Sequence, residues 1–247
     1  MIEKILSTVN MARTALFTTL VCVVTIVFSI YVPETRGFFN IGDSMVFISA
    51  IFFGPFVGAF AGGVGSMIAD LLLGYPYYAP ATLVIKACEG AVVGLLNERG
   101  GDDWSIKNWK VFTIALSVIL GLALGYFGIT YYSGQVEITV GSSLFELFVP
   151  QEFWIISSIA ITLLIGSLGF LTEPKLGWTI ISVIAGGFIM VSGYFVFQQF
   201  VIGPLFNIEV VAIAEIPINI GQMIVGAVIA LSITKIVGRG HPFLKSK

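Results

Sequence analysis

Apolar residues run along this chain in long blocks set apart by short polar gaps: Ala12 to Val32, Ser44 to Gly54, Phe56 to Leu73, Ala79 to Leu96, Trp109 to Tyr131, Phe153 to Leu171, Trp178 to Val201 and Val210 to Ile236. A helix needs roughly 20 predominantly apolar residues to cross a bilayer, so most of these blocks predict membrane spans and the second is short for one. That block is either the first half of one broken helix running through Gly54 and Pro55, or one arm of a helical hairpin. Charge decides between them. With a hairpin there are eight spans, both termini are cytoplasmic, and the inner side carries Lys4, Arg13, Arg99, Lys107, Lys110, Lys175, Lys235, Arg239, Lys245 and Lys247. A single span would push Arg99, Lys107, Lys110 and the basic tail outside, against the excess of Lys and Arg that cytoplasmic loops carry. The expectation is therefore an all-α integral membrane protein of eight spans in one transmembrane domain, residues 1–247. The loop from Tyr132 to Glu152, with Glu137, Glu146 and Glu152 but no Lys or Arg, is then external. Trp104, Trp109 and Trp178 are predicted at inner boundaries and Trp154 at an outer one, the belt positions of amphipathic rings.

Composition agrees with this reading. Hydrophobic residues make up 57% of the chain, charged ones 11%, and mean hydropathy is +1.01, beyond what the core of a soluble domain requires. A formal net charge of −2 offers no basic face for nucleic acid. Cys22 and Cys88 lie in apolar runs and read as buried small hydrophobes, without support for a disulfide or a metal site. His241, alone in the tail, cannot build a metal site. The first apolar block ends in Tyr31-Val32-Pro33-Glu34 and not in a small-residue cleavage site, so it is expected to be a retained span.

Glycine and charge mark the spans that matter. Gly58, Gly62, Gly65 and Ala69 fall on one helix face, and Gly90 with Gly94 repeat the pattern in the next span, which lets backbones approach closely. Asp43, Asp70, Lys86 and Glu89 sit inside or at the ends of these same spans. Intramembrane charge costs several kcal/mol unless it is paired or faces a cavity, so it marks a site by default. Thr82, Lys86 and Glu89 share a face of the fourth span, Tyr194 and Gln198 a face of the seventh, and Glu215, Asn219 and Gln222 a face of the eighth, where Pro217 also frees a backbone carbonyl. These stripes predict a polar pocket open to the outside, with Lys86, Glu89, Glu215 and Asn219 as its floor; Asp70 is read instead as capping the turn from Gly74 to Pro80.

The ordered set Asn40-Ile-Gly-Asp43, Phe53-Gly-Pro-Phe-Val-Gly-Ala59, Gly62-Gly-Val-Gly-Ser66 to Asp70, Tyr78-Ala-Pro-Ala-Thr-Leu83 and Lys86-Ala-Cys-Glu-Gly90, followed by Gly193-Tyr194 and Glu215-Ile-Pro-Ile-Asn219-Ile-Gly-Gln222, resembles the substrate-binding subunits (S components) of energy-coupling-factor vitamin transporters. Within them it is most similar to the group linked to riboflavin and to the thiamine precursor hydroxymethylpyrimidine. The resemblance covers residues 12–96 and 178–236. It implies a six-helix bundle, into which 109–171 is inserted as a helical hairpin with the external loop 132–152. It further implies a plasma-membrane protein that captures a small vitamin or precursor from outside under a lid from Pro33 to Gly42, with Asn40 as lid contact and Lys86, Glu89, Tyr194, Glu215 and Asn219 fixing the polar atoms of the ligand. Its partners would be a membrane coupling subunit and two ATPase subunits. The family's Ala-x-x-x-Ala docking surface reads Ala15 to Thr19 here, still small.

The chain has no Gly-x-x-x-x-Gly-Lys-Ser/Thr phosphate loop, so the energy for uptake is expected from those partners. No span carries Gly-x-Ser-x-Gly or His-Glu-x-x-His, and an enzyme is not expected. The rival is a self-sufficient ion-coupled secondary transporter in which Asp70, Glu89 or Glu215 carries a proton or binds sodium; its usual internal repeat is not evident.

Overall fold

The computed structural model describes residues 8–32, 37–131, 133–140, 143–202, 204 and 212–240. Lys4, His241, Lys245, Lys247 and the Pro33–Arg36 tip of the expected lid lie outside them. The elements in chain order are α1 (Thr8–Val27), β1 (Ile30–Val32), β2 (Gly37–Phe39), α2 (Asp43–Phe53), α3 (Pro55–Leu73), α4 (Ala79–Arg99), α5 (Asp103–Tyr131), β3 (Gly134–Val140), β4 (Ser143–Val149), α6 (Gln151–Leu171), α7 (Pro174–Phe197) with a π-helical turn over Gln198–Ile202, and α8 (Ala212–Gly240). Among the described residues, all of these helices except α2 are long and apolar enough to cross a membrane. The protein is an all-α integral membrane protein, to which two small antiparallel ribbons, β1–β2 and β3–β4, are added in loops.

Two compact units are formed, one of Met1–Gly100 with Trp178–Lys247 and one of Gly101–Gly177. In the first, the short α2 is eleven residues, about 16 Å at 1.5 Å per residue and only half a hydrocarbon layer. It ends at Gly54, whose φ of +85° and ψ of −175° suit glycine alone. The chain reverses there: Gly58 lies against Ala50 and Gly62 against Val46, so α2 and α3 form a hairpin and not one broken span. Pro55 opens α3 at a position where its missing N–H is no loss.

Beside α2, α4 packs along the same glycine face of α3, held at backbone distance. Cβ atoms built at Gly62 and Gly63 would stand 2.8 and 2.7 Å from the carbonyls of Lys86 and Leu83, Gly58 and Gly90 meet backbone to backbone, and Gly94 lies on Pro55. Gly65 faces α1 instead, against Thr18 and Val21. The glycine stripes are thus consumed by helix packing. A Gly90→Val substitution meets rigid backbone that cannot step aside, and overpacking of this kind costs 1–3 kcal/mol or more. Purified Gly90→Val protein is expected to elute as aggregate on size exclusion; a monodisperse peak with the parental melting temperature would contradict this packing.

Phe47, Ile48 and Ala50 of α2, Val93 of α4, Val183 of α7 and Ala230 of α8 close the buried apolar core of this unit. The second unit is an antiparallel pair, α5 and α6, joined by the β3–β4 ribbon. Its seam is again small and polar: Ser158 Oγ donates to the Gly121 carbonyl at 2.6 Å, and Gly128 makes room for the Trp154 ring. Trp104 is exposed as expected of a belt residue, but Trp109 and Trp178 are buried, at 4% and 9% exposure, on Gly177 and Gly100 respectively. These two rings fill glycine notches instead of facing headgroups. Cys88 also departs from expectation, since it is free and exposed, whereas Cys22 is half-buried.

Candidate ligand-binding site

Because α2 is short, its N-terminus stops deep inside the first unit, and Asp43, in its first turn, is 1% exposed. The preceding residues are shaped for this. Asn40 Oδ1 accepts from the Gly42 N–H at 2.8 Å, a side-chain turn that starts the helix, and Gly42 has no room for a Cβ against Thr25 and Asn40. Lys86 of α4 reaches Asp43 Oδ1 in a short ion pair and Glu89 Oε2 at 2.9 Å. Gln222 of α8 completes the cluster. Its Nε2 donates to Asp43 Oδ2 at 3.0 Å, and its Oε1 accepts from the Asn40 N–H and Nδ2 at 3.0 and 2.9 Å. Buried charges persist only when paired and hydrogen-bonded, and this one ammonium is held by two carboxylates.

Above this cluster lies a narrow, open-mouthed cavity of about 40 Å³. Lys86, Thr82, Tyr194, Glu215, Asn219 and Gln222 line its floor and sides, Asn40, Thr25, Ser66 and Asp70 its other flank, and Phe38, Tyr75 and Tyr78 its rim. The helices α1, α3, α4, α7 and α8 all contribute, as does β2. Tyr194 Oη donates to Thr82 Oγ1 at 3.0 Å, and Thr82 is hydrogen-bonded in turn to Asp70. The rim is aromatic. Phe38 and Tyr75 stand 5.0 Å apart, Tyr75 and Tyr78 6.4 Å apart and edge-on, and Tyr78 meets Phe197 at 5.8 Å. Burial, then the charge of Glu215, pushes the Tyr78 phenol up to about 12, so it stays neutral and accepts from Gln198 Nε2 at 3.2 Å. Gln198 begins the π-helical turn that closes α7, a local rewinding common beside functional sites.

Asn40, Lys86, Tyr194, Glu215 and Asn219 therefore surround one cavity. Glu89 does not. Three residues past Lys86 on α4, it is absent from the lining, is 0% exposed, and pairs with the Lys86 ammonium. Asp70 was expected to serve the following turn; its backbone carbonyl does accept from the Tyr75 N–H at 2.8 Å, but its carboxyl lines the cavity. Thr25, Ser66, Phe38, Tyr75 and Tyr78 were not foreseen as lining. Ser66 and Asp70, four residues apart on α3, carried a readable signal. Thr25 and the aromatic rim depend on how α1 and the ribbon fold over, which no local spacing reveals. Among the described residues, no group of His, Cys, Asp or Glu is disposed to hold a metal ion.

A glycine-packed membrane bundle with a polar cavity at one end fits a subunit that captures a solute. A family model for the ECF-type riboflavin transporter, S component, matches residues 5–145, more than half of the chain. The chain belongs to this family. A relative, an uncharacterized protein in gap 3'region of Pyrococcus woesei, is 34% identical over 160 residues, covering 64% of this chain and 97% of that protein. The S component family comprises substrate-binding subunits of energy-coupling-factor vitamin transporters, multi-pass proteins of the plasma membrane and not a class of enzymes. In this S component the matched residues include β2 and the whole of α2 to α4 with Asp43, Lys86 and Glu89, and they run on through α5. Ala15 and Thr19 lie exposed on α1, where Thr19 Oγ1 donates to the Ala15 carbonyl at 3.0 Å, so the hydroxyl folds back and the surface between them stays small.

Proposed function

We propose that this S component binds a small water-soluble vitamin or precursor, of the size of riboflavin or hydroxymethylpyrimidine, in the cavity above the Lys86 cluster. Uptake is driven by a coupling subunit, which docks on the Ala15–Thr19 face, and by its two ATPases. The observation that supports this most is convergence: polar side chains from α1, α3, α4, α7 and α8 face one cavity under an aromatic rim. Pockets of this make-up, a few placed polar groups among aromatic walls, are the usual form of a small-molecule site. Asn40, Lys86, Tyr194, Glu215 and Asn219 contact the ligand, while Glu89 positions Lys86. The mouth faces outward and both termini inward, as the distribution of Lys and Arg favours. Mass spectrometry of the small molecule released from the purified, denatured protein identifies the ligand. The protein reconstituted alone in liposomes should accumulate none of that molecule with ATP or with an imposed proton or sodium gradient; gradient-driven accumulation would favour a secondary transporter.

The hairpin 109–171 is, on the same reading, an insertion into a bundle formed by 12–96 and 178–236. Among the described residues, those lining the cavity all belong to the first unit. A deletion joining Asn97 to Leu176 should bind with unchanged affinity in isothermal titration, and loss of binding by a well-folded deletion would show that the insertion belongs to the site.

A further inference from the structure

A second recess of the first unit shares no described lining residue with the polar cavity. It is a groove of about 340 Å³ between α1, α2 and α8, lined by Phe17 and Leu20, by Phe52 and Phe53, and by Ile233 and Val237, among others. Every described residue that lines it is apolar, so its walls suit hydrocarbon and not a water-soluble solute. A guanidinium stands at one end. Arg13 is exposed, its Cζ lies 5.0 Å from the centroid of the Phe53 ring, and its Nη1 donates to Asn10 Oδ1 at 3.2 Å. Phe53 packs in turn on Phe17 at 5.1 Å, which sets the cation against the wall of the groove.

Arg13, Phe17 and Leu20 follow at i, i+4 and i+7 on α1 and form one stripe. At 1.5 Å per residue it is about 10 Å long, within half of a hydrocarbon layer about 30 Å thick. Ala15 and Thr19, two residues to either side of Phe17, fall about 160° around the helix from it. The groove is therefore not the face on which the coupling subunit is proposed to dock. Its walls differ as well. Helices in a bilayer approach one another through small residues, whereas this groove presents large ones, Phe17, Phe52 and Phe53 among them. A flexible acyl chain fills a channel between large side chains where a helix does not.

We propose that the groove holds an acyl chain of one anionic phospholipid, from the leaflet on the N-terminal side of α1, with the lipid phosphate on the Arg13 guanidinium. The planar fork of donors on arginine matches a phosphate, and a cation above an apolar channel complements both ends of such a molecule. A zwitterionic lipid brings an ammonium of its own, which competes for the phosphate.

The test is native mass spectrometry of the full-length protein, delipidated in detergent and mixed with equal amounts of dioleoyl phosphatidylglycerol and dioleoyl phosphatidylcholine. Phosphatidylglycerol is expected to be retained at least fivefold over phosphatidylcholine. Arg13→Gln should bring the two lipids to within about twofold of each other. Leu20→Trp, which fills the groove, should lower retention of phosphatidylglycerol at least fivefold. Lys235→Gln removes an exposed cation of α8 that lies two residues from both Ile233 and Val237, off their stripe, and should change neither. Equal retention of the two lipids by the parental protein overturns the headgroup preference. Selective retention that survives Arg13→Gln and Leu20→Trp puts the lipid elsewhere and overturns the site. A dimer mass abolished by Leu20→Trp would assign the groove to a second copy of the chain and overturn the proposal too. If Leu20→Trp does not fold, Arg13→Gln decides.

Discussion

Lys86→Met is expected to yield no stable protein. The substitution removes the ammonium from a cluster where Asp43 and Glu89 are almost wholly buried, and leaves both carboxylates without a cationic partner among the described residues. Breaking a buried ion pair by deleting one partner costs about 3–5 kcal/mol, a large share of the 5–15 kcal/mol that holds a typical domain together. Replacing such a cluster by a neutral one of the same shape is much less costly. The triple variant Lys86→Met, Asp43→Asn, Glu89→Gln should therefore recover folded yield that the single variant lacks. Detergent-solubilised yield, size exclusion and thermal unfolding followed by tryptophan fluorescence measure both. A Lys86→Met protein that melts at the parental temperature would mean that the cluster contributes little to the fold.

Asn219→Ala should do the reverse, keeping the fold and losing the ligand. Asn219 is 4% exposed, lines the cavity, and its Nδ2 has no hydrogen-bond partner among the described residues. Truncating it gives up no bond from Nδ2 to the described residues. A buried hydrogen bond to a ligand is worth about 1–3 kcal/mol, and 1.4 kcal/mol is a tenfold change in Kd. The expected result is at least tenfold weaker binding of the co-purified molecule by isothermal titration, with a melting temperature close to the parental one. Parental affinity in Asn219→Ala would place the ligand elsewhere. Glu89→Ala would also weaken binding, but through Lys86 and with a fall in stability, which separates a contact from a support.

Much of the fold could be read along the chain because membrane spans are announced by composition over long windows, and because glycine at helical spacing has few uses other than close packing. The hairpin at Gly54 needed the positions of Arg99, Lys107 and Lys110, since the apolar pattern alone permitted a broken span. The site was legible where polar residues recur on one helix face, as at Lys86 or at Glu215 and Asn219. It was misread where face alone did not decide which neighbour a side chain meets. Glu89 shares a stripe with Lys86 yet points to its ammonium, and Asp70 ends its helix yet turns inward. The ribbons escaped notice because three- and seven-residue strands in loops leave no periodic trace long enough to separate from an apolar helix.

The brevity of α2 has a mechanical result. Since the helix begins only three residues after Asn40, the strand at the cavity mouth and the carboxylate at its floor are tied by a tether too short to stretch. Gln222 clasps both ends of that tether, Asn40 at one and Asp43 at the other. β2 cannot lift from the entrance without surrendering the clasp on Asn40, and once that is surrendered Gln222 holds Asp43 alone. A shift of β2 at the rim is thus passed through Gln222 to Asp43 and its pair with Lys86.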